Sequence, residues 1–325
     1  MKILIIRFSS IGDIVLTTPI VRCLKKQLQD TEIHYLTKSP YTALLADNPY
    51  IDKVHSYNHN LNEIIQILKS ENFDFIVDLH NNIRTKIVKL RLLKPSSTFN
   101  KLNLEKWLLV NFKINLLPAL HIVDRYFKAV EKLNVSNDHQ GLDFFIPETE
   151  KVNINVLPLE FHQGYTALVI GGKHNTKQIP DALLIELCKK SEIPLVLLGG
   201  EEDYERAENI IRTSAKSGVF NACGRFNIHQ TASIIEQSLK LITPDTGLMH
   251  IAAAFNKEII SVWGNTVPEF GMYPYLTEKH KSEIIQVIGL KCRPCSKIGF
   301  NSCPKQHFDC MMQIDINQLL KHIQK

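Results

Sequence analysis

Short apolar runs alternate with amphipathic ones along the first ninety residues. "KILIIRF" (2–8), "EIHYLTK" (32–38), "KVHSYN" (53–58) and "DFIVDLH" (74–80) read as strands, and the patterns over 14–28 and 61–69 read as helices between them. Strands that are apolar nearly throughout, rather than alternating, predict a parallel sheet covered on both faces. The pattern blurs between about 95 and 160 and then restarts with "TALVIGG" (166–172), "PLVLLGG" (194–200), "GVFNACG" (219–225), "LKLITPD" (239–245) and "EIISVWG" (258–264). Most of these runs end in glycine, which lets the chain turn tightly out of a strand. That edge is where open α/β sheets bind ligands. The polar stretch "PETEKVNINVLPLE" (147–160), with a proline near each end, suits a linker. Two doubly wound α/β halves, split near residue 155, are the economical reading.

A length of 325 residues fits two domains better than one. With 44% hydrophobic and 22% charged residues, the composition is that of an ordinary soluble globular protein. Only four apolar residues separate Lys2 from Arg7, too few for a signal peptide, and no segment approaches the ~20 apolar residues of a membrane span. The expectation is a cytoplasmic protein whose seven cysteines are free thiols or metal ligands rather than disulfides. Net charge is a mild +5, but its distribution is uneven. Arg84, Lys86, Lys89, Arg91, Lys94, Lys101, Lys106 and Lys113 face a single acid, Glu105, with apolar residues such as "KWLLVNF" interleaved. The run is either a solvated helix face or a surface that rests on anionic lipid or grips a phosphorylated substrate.

Three strand-end loops carry candidate chemistry. In "TPDTGLMHIAAAF" (243–255), Asp245 or Thr246 caps a helix, Gly247 permits close backbone approach, and His250 lies one turn in. A helix start of this kind receives a phosphate well. In "GGKHNTKQIP" (171–180), Lys177 sits at a loop rim where it can pair with a phosphate oxygen, and Pro180 suits the first helical position. In "WGNTVPEF" (263–270), Thr266 offers a hydroxyl. Neither G-x-G-x-x-G nor G-x-x-x-x-G-K is present, so a nucleotide diphosphate fits better than a dinucleotide. The first loop is different. "SSIGDIVLTTP" (9–19) holds one glycine and then a carboxylate, Asp13, which reads either as the cap of a helix from Ile14 or as a group with a chemical task. "DLHNNIRT" (78–85) places Asp78, Asn81 and Arg84 at another strand end, for turn and cap chemistry or for an anionic sugar that an Arg fork would suit.

The combination of "IRFSSIGDIVLTTPIVRCLKK", "DLHNNIRT", "NTKQIP" and "PDTGLMHIAAAF", in that order over most of the chain, resembles glycosyltransferase family 9, the ADP-heptose:lipopolysaccharide heptosyltransferases. The resemblance implies a GT-B fold, two facing Rossmann-like domains with the active site between them. Residues 1–155 would take the acceptor and 156–313 the ADP-sugar, with a last helix over 314–325 packing back on the first domain. It implies an inverting transfer with Asp13 as general base, and a donor site of Lys177, Asp245, Thr246, Gly247, Leu248, His250 and Thr266. Arg7, Asp78, Asn81 and Arg84 would meet the acceptor, a lipid-linked oligosaccharide at the inner membrane face. No metal is required for catalysis. Two departures touch the donor sugar: Gln178 and Ile179 replace the "RW" of "TKRWP", and Val267 replaces the acid of "T-D-P". A different GT-B enzyme, such as a sugar-nucleotide epimerase, and a zinc-stabilised nucleic-acid-binding module remain as alternatives. The second leaves Asp13 and the Thr246 loop unexplained and has few aromatic residues among its cations. Nucleic acid is therefore not an expected partner. Finally, "CRPCSKIGFNSCPKQHFDC" gathers Cys292, Cys295, Cys303 and Cys310, with His307 nearby, as either a structural zinc site or a loop of free thiols.

Overall fold

The computed structural model describes residues 1–323, which divide into two compact units. The first comprises Met1–Leu102 and Leu120–Phe145; the second comprises Asn103–Ala119 and the chain from Ile146 onward. The split falls ten residues before the expected one, because the 147–160 stretch belongs to the second unit. There it forms short 3₁₀ turns, and its backbone at Val152 bonds the Ser233 and Gln237 side chains.

In the first unit, β1 (Lys2–Ile6), β2 (Glu32–Lys38), β3 (Lys53–Tyr57), β4 (Phe75–Asp78) and β5 (Ser96–Thr98) form one parallel sheet in the order β3-β2-β1-β4-β5. Central β1 is buried from Ile3 to Ile6, as a strand covered on both faces should be. β5 escaped the sequence reading because it is three polar residues at a sheet edge. The helix expected over 14–28 is two helices, Ile11–Val15 and Thr18–Gln27. Pro19 lies in the first turn of the second, where its missing N–H costs nothing but where it cannot continue the first.

In the second unit, β6 (Thr166–Val169), β7 (Leu195–Leu198), β8 (Val219–Asn221), β9 (Lys240–Pro244), β10 (Glu258–Trp263) and β11 (Ser282–Gln286) form a parallel sheet in the order β11-β10-β9-β6-β7-β8. Both sheets reverse direction beside their first strand, the doubly wound arrangement of Rossmann-like folds. The last helix, Ile316–Ile323, buries Ile316, Leu319, Leu320 and Ile323 in the core of this second unit with Leu184 and Leu187. That apolar face, expected to serve packing onto the first unit, is buried in the core of its own; positions 324–325 of the expected helix lie outside the described residues. The basic run of 84–113 is likewise divided. Helix Ile83–Leu92 belongs to the first unit, whereas helix Asn103–Phe112 belongs to the second, where Leu109 packs with Val267 and Phe270. No helix among the described residues is long and apolar enough to cross a membrane.

Candidate active site

At the C-terminal end of β1 the chain enters helix Ile11–Val15, with Ser10 at its N-cap and Asp13 at its third position. Asp13 is therefore not the cap residue itself. Its Oδ2 accepts hydrogen bonds from the Ser10 hydroxyl (2.9 Å) and N–H (3.3 Å), while Oδ1 pairs with Arg7 Nη2 at 2.7 Å. Burial pushes this carboxyl up, but the Arg7 charge and the two Ser10 donors outweigh it and hold Asp13 below the usual carboxylate range. Its side chain keeps 22% of its exposure, so an ionised, fixed carboxylate still has an open side.

Arg7 is buried, and four of its five N–H groups are bonded. Besides Asp13 it donates to the carbonyls of Ser9 (2.8 Å) and Leu79 (2.6 Å) and to the Tyr126 hydroxyl (3.1 Å). One Nη2 N–H remains beyond these four, and the guanidinium as a whole holds Asp13 in place. Asp78, also expected to meet the acceptor, is 0% exposed. Its Oδ1 accepts from the N–H groups of His80 (3.0 Å) and Asn81 (2.7 Å), and Oδ2 pairs with Lys89 Nζ at 3.0 Å. Oδ1 shapes the turn, Oδ2 ties it to the helix that follows, and neither oxygen is exposed. Asn81 is half-exposed, takes a left-handed φ of 49° and donates to the Phe99 carbonyl (3.0 Å), while Arg84 is exposed on the first turn of the following helix. His80 was not anticipated. Its ring packs at a tilt against Phe8, and burial, followed by the Arg7 charge, lowers its pKa to about 4, so it is neutral at neutral pH. Ser10, Tyr126 and His80 had only their proximity to a motif, or nothing local, to mark them.

In the second unit the three loops picked out from sequence meet at one atom. Asp245 Oδ2 accepts from Lys177 Nζ (2.6 Å) and from Thr266 Oγ1 (2.9 Å). One carboxylate oxygen thus joins the ends of β9 and β10 and the loop after β6. The helix Gly247–Ala254 starts beside it with Thr246 at the N-cap. The Thr246 hydroxyl is bonded to Thr243 (3.0 Å) and does not cap the helix, which leaves the N–H groups around Gly247 and Leu248 uncapped by that side chain. A methyl group on Gly172 would lie 3.6 Å from Thr246 Cγ2, so the loop after β6 passes close to this helix start. His250 is buried one turn further in. Pro180 is the cap of helix Asp181–Lys190 rather than its first residue. Val267 has a physical reason for replacing an acid: it is buried with Leu109 and Phe270, where a carboxylate would lack partners.

The cysteine segment, which the sequence leaves as either a zinc site or a loop of free thiols, keeps its candidate ligands apart. Cys292 Sγ lies 3.9 Å from His307 Nε2, but no three ligand atoms from Cys292, Cys295, Cys303, Cys310 and His307 lie within 4.8 Å of one another. Burial pushes the Cys295 thiol up to about 11 and Cys310 up to about 12. His34, His55 and Glu71 do gather within 4.8 Å, but the two imidazoles bond each other (2.8 Å) and Glu71 is spent on Lys2 and Lys53.

Residues 61–302 match the model of glycosyltransferase family 9 (heptosyltransferase), which is more than half of the chain. Lipopolysaccharide heptosyltransferase 1 of Campylobacter coli is 26% identical over 82% of this chain and 84% of its own length. Among solved structures, a family 9 glycosyl transferase from Veillonella parvula superposes with a TM-score of 0.77 at 19% identity, covering 98% of this chain and 95% of its own. The E. coli ADP-heptose lps heptosyltransferase II superposes with a TM-score of 0.71 at 21% identity over 100% of both chains. The two parallel Rossmann-like sheets are those of the GT-B fold, and the epimerase and nucleic-acid readings fall away. The chain belongs to glycosyltransferase family 9 and is a glycosyltransferase.

Proposed function

We propose that the protein transfers a heptosyl group from ADP-heptose to the core oligosaccharide of a lipopolysaccharide, with inversion at the anomeric carbon. The acceptor hydroxyl attacks that carbon from the face opposite the diphosphate. Asp13 takes the hydroxyl proton as the new C–O bond forms, and the old bond breaks with its electrons passing to ADP. Asp13 lies below the ordinary carboxylate range, so it is ionised and ready at neutral pH but removes the proton only as the nucleophile commits. Arg7 and Ser10 keep it pointed in one direction.

The charge that develops on ADP is met in the second unit. Lys177 and the N–H groups at Gly247 and Leu248 supply positive potential for the diphosphate, and Thr266 a hydroxyl, with no metal ion required. Asp245 is the anchor that holds Lys177 and Thr266 together rather than a direct ligand, and His250 supports the helix from behind. Convergence of three strand-end loops on Asp245 Oδ2 is the main support for this donor site. Asn81 and Arg84 are the acceptor-side groups with free surface. The lipid part of the acceptor stays in the cytoplasmic leaflet of the membrane, on which helix Ile83–Leu92 rests as a peripheral contact. Its outer face exposes Ile83, Ile87 and Leu90 among Arg84, Lys86 and Arg91, with no acid along its length.

Asp13→Asn tests the mechanism. Asparagine keeps the size and can still accept from Ser10, but it gives up the Arg7 ion pair and cannot take a proton. We expect kcat to fall by roughly 10²-fold or more with ADP-heptose affinity nearly unchanged. A folded Asp13→Asn protein with normal turnover would remove the general base from the scheme.

A further inference from the structure

The cysteine-rich segment after β11 contributes no side chain to the proposed donor site, yet it holds both of the loops that do. Arg293 is its main clamp. The guanidinium donates from Nε to the Gly264 carbonyl (2.5 Å), from Nη2 to the Thr266 carbonyl (3.0 Å) and from Nη1 to the Val287 carbonyl (3.0 Å). The Cys295 N–H donates to the Asn265 carbonyl (3.2 Å). Three consecutive carbonyls of the loop that carries Thr266 are thus fixed from one side. The Asn265 amide is buried with no hydrogen-bond partner, so the hold on this loop is through its main chain.

The same segment reaches the other loop. Thr176, the neighbour of Lys177, donates its N–H (3.2 Å) and hydroxyl (3.1 Å) to the Phe300 carbonyl, and the Phe300 N–H donates back to the Thr176 hydroxyl (2.8 Å). The two loops also touch: a methyl group on Gly264 would lie 2.9 Å from the Thr176 carbonyl, an approach only glycine permits. The segment is itself tied down by Lys113, whose Nζ donates to the carbonyls of Cys292 (3.2 Å) and Pro294 (2.7 Å).

We infer that Arg293 is a positioning residue for the donor site, and that residues 293–300 form a strap which sets Thr266 and Lys177 in register on Asp245. The inference rests on the donor-site reading above. A planar guanidinium can bond three diverging carbonyls at once; an ammonium on a flexible stem cannot hold them in the same geometry. Without the clamp these carbonyls lose their donors, the Thr266 loop is freed, and the Lys177–Asp245–Thr266 arrangement has to be assembled by the ligand. A displacement of about 1 Å at positioned groups can cost 10²-fold.

The test is calorimetry with ADP and steady-state kinetics on the whole chain, for wild type, Arg293→Ala, Arg293→Lys and Thr176→Val. Arg293→Ala should raise the ADP Kd and the donor KM at least tenfold and leave the acceptor KM unchanged. Arg293→Lys, which keeps the charge without the fork, should lose most of the same affinity. Low-millimolar guanidinium should restore part of the ADP affinity of Arg293→Ala and none in wild type. Thr176→Val loosens the strap at its other end, so a smaller loss in the same direction is expected even if Arg293→Ala fails to fold. Folded Arg293 variants with wild-type ADP affinity would overturn the inference, as would donor and acceptor KM values rising together. If wild type itself binds no ADP, the donor-site reading fails and takes the strap with it.

Discussion

Asp13 and Asp245 are both carboxylates beside a cation, and what else each oxygen meets separates their proposed roles. Asp245 gives a single oxygen to two donors from two other loops, which makes it a junction. Asp13 divides its oxygens between a buried Arg7 and its own helix start and keeps an open side. If Lys177 bears on the diphosphate, Lys177→Ala should weaken ADP binding by about tenfold, equivalent to about 1.4 kcal/mol. The loss should shrink at high salt, because part of it is screened charge, and calorimetry at two ionic strengths reads both effects. Equal affinity in the two proteins would take Lys177 out of the site. Arg7 is what lowers the Asp13 carboxyl against the burial that raises it. Arg7→Gln should therefore move the acidic limb of the kcat/KM profile to higher pH; a limb that does not move means Asp13 is not the group being titrated. Asp13, Lys177, Asp245 and Thr266 were legible in sequence because each follows an apolar run that ends in a turn. The duties of Arg7 and Asp78 were not, since whether a polar side chain faces ligand or its own loop depends on partners such as Tyr126 and Lys89, far away in the chain or a turn further on.

Helix Ile83–Leu92 is the element whose exposed face most needs a partner. Ile83 is 77% exposed and Leu90 is 72% exposed, although an amphipathic helix normally turns its large apolar residues inward. The helix still has a core side, through Thr85, Val88 and Leu92, so its outer face is additional to packing rather than a failure of it. Arg84→Glu combined with Arg91→Glu should reduce flotation with anionic vesicles and leave the little binding to neutral vesicles unchanged, since each basic residue near an anionic surface contributes about 1 kcal/mol. Activity on a vesicle-embedded acceptor should fall more than on a detergent-soluble one. Flotation that ignores lipid charge would reduce this helix to a solvated face. The sequence alone drew one basic surface from 84 to 113, but the chain passes into the other unit at Asn103. Charge along a sequence does not reveal which body a segment packs on.

At the scale of the whole molecule, the groups most sensitive to acid are concentrated in one unit. His55 and His80, both in the first unit, are held down to about 4, His55 by burial and then by the neighbouring His34. Their ordinary value is about 6.5, so above that pH the folded and unfolded chains bind the same protons at these sites. Between 6.5 and 4 the unfolded chain binds more, and stability falls with pH by up to about 1.4 kcal/mol per unit for each group. Both tryptophans, Trp107 and Trp263, lie in the second unit. Lowering pH from 7 to 5 should therefore bring the urea midpoint read by circular dichroism below the one read by tryptophan fluorescence. His55→Asn should narrow the gap. Coincident midpoints across this range would mean the two units unfold as one or that the histidines are not protected.

The sequence by itself determined the two parallel sheets, most of their strands and the loops where chemistry gathers. Strands covered on both faces must be continuously apolar, and the turns that leave them need glycine or a polar cap; both leave local marks. It did not determine edge strands β5 and β11, whose half-exposed positions blur the apolar pattern. It did not determine the home of residues 103–119 or of the last helix, because an apolar stripe states that a face is buried and not against what. Only the tertiary structure decided that Arg7 orients Asp13, that three loops share one oxygen of Asp245, and that Arg293 clamps a loop about thirty residues before it. Those are hydrogen bonds between groups from separate stretches of chain, set by how strands are ordered in a sheet, and no period or composition within a single stretch encodes that order.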